Sequence, residues 1–157
     1  MKKFYAVIGN PPYQEDTESD STRLPPIYNR FMDGAYEIGE KVELITPARF
    51  LFNAGYTPKD WNRKMLDDPH LKVLKYISDS SIVFPDNDIK GGVAVTYRDS
   101  NSAFGPIDVF TKYAELNTIL SKVLKGTSHF LDEVISSPLS YKLSDLMKTE
   151  HPDLPDR

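Results

Sequence analysis

The residues whose types can do chemistry are Asn10-Pro11-Pro12-Tyr13, which follow the apolar run Phe4–Ile8 and Gly9. With proline near 5% of average usage, meeting this tetrapeptide by chance in such a chain is on the order of one in a thousand. A planar amide such as that of Asn10 and a backbone carbonyl such as that of Pro11 can accept both hydrogens of an amine on an aromatic ring. Those two acceptors draw the nitrogen toward tetrahedral geometry and free its lone pair to attack a methyl group, with no strong base required. The prolines Pro11 and Pro12 hold the backbone so that the carbonyl faces the site. Tyr13 offers a flat face to a base taken out of its stack. The bland alternative is a surface turn with an incidental tyrosine, and the strand ahead of the motif argues against it.

Positioning these groups requires a strand that runs into a rigid loop. Phe4–Ile8 is that strand, ended by prolines that cannot donate to a sheet ladder. Gln14–Arg23 has the composition of a turn or disordered loop. Ile27, Phe31, Ala35 and Ile38 then follow helical spacing, and Gly39 fits as the C-terminal cap. Val42–Thr46 reads as a second strand stopped by Pro47, and Ala48–Ala54 as a short helix ended by Gly55. Thr57 with Pro58 predicts an N-cap and first turn, with Asp60 reaching back, for a helix over Pro58–Leu66.

Leu71, Val73, Leu74, Tyr76 and Ile77 make a third strand, and Ile82-Val83-Phe84 an extended piece stopped by Pro85. The polar loop Asp86–Lys90 and Gly91-Gly92 lead into a fourth strand, Val93–Tyr97, with which a hairpin can form. From Phe104 the character changes. Tyr113, Leu116, Ile119, Leu120, Val123 and Leu124 mark an amphipathic helix capped by Gly126, followed by shorter pieces and a polar, proline-containing tail. No internal repeat is present.

Composition narrows the classes. In 157 residues, 39% of them hydrophobic, one ordinary core can be buried and little more. With no apolar run of membrane-spanning length and no secretory leader after Met1, the expectation is a cytoplasmic protein without a membrane partner. Cysteine is absent, and His70, His129 and His151 share no ligand spacing, so no metal is expected. The net charge of −4 gives no basic field for nucleic acid. Lys59, Arg63, Lys64, Lys72 and Lys75 cluster in mid-chain, where solvated faces explain them adequately.

The motif and its surroundings resemble the gamma-type adenine-N6 DNA methyltransferases of restriction-modification systems. Phe4–Tyr13 is similar to that family's catalytic strand and NPPY motif. Val42–Leu51 is similar to its next strand and turn, and Ile82-Val83-Phe84-Pro85 with Gly91–Thr96 to the segment whose aromatic residue stacks on the other face of a flipped adenine. The resemblance implies catalytic roles for Asn10, Pro11, Pro12 and Tyr13, and a base clamp made by Tyr13 and Phe84. It also implies S-adenosylmethionine as cofactor and double-stranded DNA as partner in the complete enzyme. The fold implied is α/β: a partial Rossmann-like methyltransferase sheet, the second half of a seven-stranded mixed sheet with a terminal hairpin, flanked by helices. Residues 1–103 would form the catalytic half and 104–157 a helical extension, the possible start of a target-recognition region.

One departure from the family pattern matters. The family's donor site lies ahead of the motif, in a strand followed by a glycine-rich turn, and only nine residues precede Asn10 here. The chain is therefore expected to be a catalytic fragment or split subunit, inactive alone, whose cofactor pocket is completed by a missing N-terminal half or second subunit. Alternatives are methylation of a glutamine amide in a protein, and a non-catalytic remnant or assembly module. Cutting the sheet beside Phe4–Ile8 should also leave an unpaired apolar edge, through which a homodimer can form.

Overall fold

The computed structural model describes residues 2–15, 24–126, 129, 133–135 and 149–151. Most of the loop expected over Gln14–Arg23, and most of the chain after Gly126, lie outside the described residues. Two compact units are present, Met1–Asn117 and Thr118–Arg157.

The elements are β1 (Phe4–Gly9), α1 (Tyr28–Ile38), β2 (Gly39–Pro47), α2 (Lys59–Asp67), β3 (Leu71–Ile77), β4 (Val93–Asp99) and α3 (Ala114–Gly126), with 3-10 turns at Ala48–Phe52 and Ser80–Ile82. The four strands form one mixed α/β sheet in the order β1-β2-β4-β3. β1 runs parallel to β2, with Val7 opposite Val42, and α1 makes the crossover between them. β4 lies antiparallel to both β2 and β3. The expected arrangement of one parallel pair and a terminal antiparallel hairpin is observed. A sheet of seven strands is not part of this chain's described residues.

Alternation explains which face is covered. In β2, Val42, Leu44 and Thr46 are buried while Lys41, Glu43 and Ile45 between them are less so. The buried face meets Tyr28, Met32, Ala35 and Tyr36 of α1, which recur at helical spacing on one stripe. Trp61, Met65 and Leu66 of α2 join the same core, where Trp61 packs edge-on to Tyr28 and Phe50. Asp33 ties the two helices together, accepting from Trp61 Nε1 at 2.9 Å and from Lys64 Nζ at 2.8 Å. At the far end Arg98 donates to Asp68 at 2.7 Å, a largely buried pair. Residues beyond 103 also belong to this core: the Phe104 amide donates to Pro69, that of Asp108 to Leu66, and Ile107 and Phe110 pack against it.

Gly39 does cap α1 as expected, in an extended conformation (φ −100°, ψ 139°). Glycine is required there by closeness, because a Cβ would lie 2.8 Å from Val7 Cγ2 and 2.9 Å from Val42 Cγ2. Several local expectations need correction. The segment after Pro47 is a 3-10 turn, ended by Asn53 in the left-handed region and not by Gly55. Pro58 stands at the N-cap of α2, and the hydroxyl expected to cap it, that of Thr57, is buried and donates instead to Asn62 Oδ1 at 2.6 Å. Ile82-Val83-Phe84 is not extended. The amides of Val83 and Phe84 both donate to the Ser80 carbonyl, which curls the segment into a turn.

Candidate functional site

A cavity of about 580 Å³ lies where the carboxyl ends of β1 and β2 meet the loop between β3 and β4. All of its lining residues fall between 10 and 90, within the first unit. Open sheets place ligands outside the carboxyl ends of parallel strands because loops diverge there and leave a crevice. Asn10, Pro11, Pro12 and Tyr13 form one wall, Phe84 and the loop 87–90 another, and Tyr28, Arg49 and Tyr56 complete it. The structure therefore brings together every site residue that the sequence singles out.

Tyr13 is held from both chain directions. Its carbonyl accepts from the Ile27 amide at 3.1 Å, and Gln14 forms a bridge with Pro26. The amide of Glu15 donates to Pro25 at 3.1 Å. The two ends of the loop are thereby zipped together beside the motif. The Tyr13 phenol is half-buried, and desolvation pushes its pKa up to about 12. It is neutral across the physiological range, so it offers the cavity an uncharged aromatic ring.

Phe84 is presented by a loop organised on a buried serine. Ser80 Oγ donates to the Asn87 carbonyl at 3.0 Å and accepts from the Ile89 amide at 2.8 Å, while its own carbonyl takes the amides of Val83 and Phe84. The rings of Tyr13 and Phe84 meet at 6.1 Å between centroids with an interplanar angle of 87°. They touch edge to face and are not parallel. A base sandwiched between two faces needs them parallel and about 7 Å apart, two stacking distances.

Sequence reasoning missed Tyr28, Arg49, Tyr56 and Ser80. Burial lifts the Tyr28 pKa to about 12, an effect opposed by Thr57 and by the positive charge of Arg49. The loop that carries Gly55 and Tyr56 is tied down through Asn62, which accepts from Thr57 and donates from Nδ2 to Asn53 Oδ1 at 3.3 Å. For Ser80 a signal existed: Asp79-Ser80-Ser81 can form a local side-chain turn, and Asp79 Oδ1 does accept from the Ser81 amide at 3.0 Å. Tyr28 and Arg49 carry no comparable local signal.

The family model of the Eco57I restriction-modification methylase matches residues 1–84, more than half of the chain. The chain belongs to this family. The match runs from β1 through Phe84 and so covers the tetrapeptide wall and Phe84, while the loop 87–90 lies beyond it. A Mycoplasma pneumoniae protein described as an uncharacterized adenine-specific methylase is 28% identical over 153 residues, covering 96% of this chain and 33% of that protein. The chain thus spans about a third of the length of that relative. No solved structure matches it.

The described residues fit S-adenosylmethionine poorly. Positive-φ glycines stand at 55, 91, 92 and 105, none of them in a tight glycine-rich turn that leaves a strand and opens a helix directly, and the turn that follows β1 carries two prolines. Among the described residues no group of three carboxylate, histidine or cysteine side chains could hold a metal ion. No helix among them is long and apolar enough to cross a membrane.

Proposed function

We propose that this chain is the catalytic portion of a gamma-type DNA adenine-N6 methyltransferase, which takes an adenine out of the duplex and holds its amine for methylation. The observation that carries the reading is the convergence of Asn10-Pro11-Pro12-Tyr13 with Phe84 on one cavity, two separate stretches that meet only in the fold. In this mechanism the Asn10 amide oxygen and the Pro11 carbonyl accept the two amine hydrogens. Pro12 stiffens the loop, and Tyr13 stacks on the base. Phe84 swings from its edge-on contact to cover the opposite face. S-adenosylmethionine would supply the methyl group, and, the described residues carrying no glycine-rich cradle for it, residues other than these would hold it. Double-stranded DNA is the substrate. The catalytic half runs past residue 103 to take in the stretch 104–110 that packs on its core, and the chain beyond leads toward target recognition.

A nucleoside titration tests the reading. The chain is expected to bind 2′-deoxyadenosine in preference to 2′-deoxyinosine, which carries a carbonyl where adenine carries the amine and so cannot satisfy two acceptors. Tyr13→Ala and Phe84→Ala should each weaken binding by about 1–3 kcal/mol, the usual worth of one base–aromatic stack. Equal affinity for the two nucleosides would remove the support for adenine chemistry.

The partner reading rests on β1. It is an edge of the sheet, and Phe4, Tyr5 and Ile8 are 55%, 68% and 79% exposed. Such an edge offers unpaired amides and carbonyls to another strand. In the complete enzyme the donor-binding segment pairs there, and in the isolated chain a second copy does. Light scattering at micromolar concentration is expected to report a mass above 17.8 kDa, reduced by Val7→Lys. A monomer under those conditions would rule out self-pairing.

A further inference from the structure

Arg49 is a charged cavity residue to which the adenine reading gives no task. It sits in the 3-10 turn after β2, and its Nε–H donates to the Lys90 carbonyl at 2.5 Å. Two glycines with positive φ close on the same side chain. A Cβ on Gly55 (φ 87°) would lie 3.2 Å from Arg49 Cβ and Cδ, and one on Gly91 (φ 89°) would lie 2.9 Å from Cγ. Held by glycine backbone on both sides and by a hydrogen bond at Nε, the side chain has little rotamer freedom left to lose on meeting a ligand. Its two terminal NH2 groups still have donors to offer. Asp88 lines the same cavity and could have neutralised it, but no ion pair to Arg49 forms among the described residues. A pre-set, half-buried, unpaired guanidinium beside an aromatic-walled cavity matches the chemistry of an anion attached to a base.

We propose that Arg49 holds a phosphate of the nucleotide whose base enters between Tyr13 and Phe84, an inference that rests on the adenine reading above. A base swung into the cavity brings its own phosphates to the rim. A planar fork of donors suits phosphate oxygens better than a point charge does. Arg49 then anchors the nucleotide without reading its sequence, while the amine acceptors at Asn10 and Pro11 choose the base.

Calorimetric titration of the isolated chain at low salt separates these two parts. The probes are 2′-deoxyadenosine, its 5′- and 3′-monophosphates, and inorganic phosphate. One monophosphate is expected to bind about tenfold or more tighter than the nucleoside, the usual range for a charge-assisted hydrogen bond. That gain, taken as the ratio of monophosphate to nucleoside affinity within each variant, should shrink as salt rises, vanish in Arg49→Gln and survive in part in Arg49→Lys. Monophosphates that bind no tighter than the nucleoside to the unaltered chain would overturn the proposal, and that comparison needs no variant to fold. A gain that persists in folded Arg49→Gln would also overturn it. So would inorganic phosphate binding as tightly as the monophosphates, because the anion site would then be independent of the base. If the nucleoside itself fails to bind, the adenine reading falls and this inference with it; if only the phosphate gain is missing, the adenine reading stands.

Discussion

In the complete enzyme that contains this segment, Asn10→Ala is expected to lower methyl transfer to adenine by about 10²–10³-fold or more while leaving duplex affinity near its original value. The separation follows from where Asn10 sits. It is exposed on the wall of the cavity at the end of β1, outside the core that holds the fold together, so its loss should not disturb packing. Its amide oxygen gains most when the amine nitrogen becomes tetrahedral and its hydrogens become more acidic. Removing one such preorganised partner typically costs about 3–4 kcal/mol in the transition state and little in the ground state. Counting methylated adenine by mass spectrometry, alongside duplex binding by fluorescence anisotropy, checks both halves of the expectation. A variant that keeps turnover within tenfold would show that the amine is held by other groups, and the role given to the tetrapeptide would have to be withdrawn.

Gly92→Ala should be the most damaging single-methyl change in the fold, destabilising it by about 2–4 kcal/mol. Gly92 has φ 74°, and a Cβ there would run into the Ile77 carbonyl oxygen and lie 2.9 Å from Ser78 Cα. Both obstacles are backbone and cannot rotate away. Its own carbonyl accepts from the Ala48 amide at 3.0 Å, which ties the start of β4 to the turn that carries Arg49. β4 lies between β2 and β3, so a shift at its first residues is passed to both neighbours. Gly105 is the natural control: its φ is 90°, yet nothing lies within 4 Å of the added Cβ. Gly105→Ala should therefore cost only the backbone strain, about 1 kcal/mol. Thermal melts of the two variants decide the matter, with a fall of roughly 5–15 °C expected for Gly92→Ala. Equal losses would mean that the overlap with Ile77 is relieved cheaply and that φ alone matters.

The elements were legible wherever local pattern and chain chemistry agreed. The apolar run Phe4–Ile8, the helical spacing of Ile27, Phe31, Ala35 and Ile38, and the alternation of β2 each lead to the element observed. Legibility failed where a buried side chain overrode local propensity. Thr57 is a good N-cap by type, but its hydroxyl is drawn to Asn62, and Pro58 takes the position. Ile82-Val83-Phe84 has strand-forming composition and still curls, because Ser80 gathers the amides of Val83, Phe84 and Ile89 and gives its own proton to Asn87. Periodicity carries no information about such a staple.

What the sequence determined by itself is the set of groups offered at Asn10-Pro11-Pro12-Tyr13, because amide, prolines and aromatic ring are contiguous and need only a preceding strand to aim them. The pairing of Tyr13 with Phe84, 71 positions apart, could be stated only through family resemblance, and its edge-on geometry only from the fold. Arg49 was decided by tertiary structure alone. An arginine in a turn is ordinarily a solvated charge; this one lines the cavity because β2 delivers it beside the 87–90 loop and because glycines 55 and 91, far apart in sequence, both leave it room. Local sequence sets which groups a segment offers. Which of them share a cavity depends on strand order and on close backbone approach, and those are settled only when the whole sheet is packed.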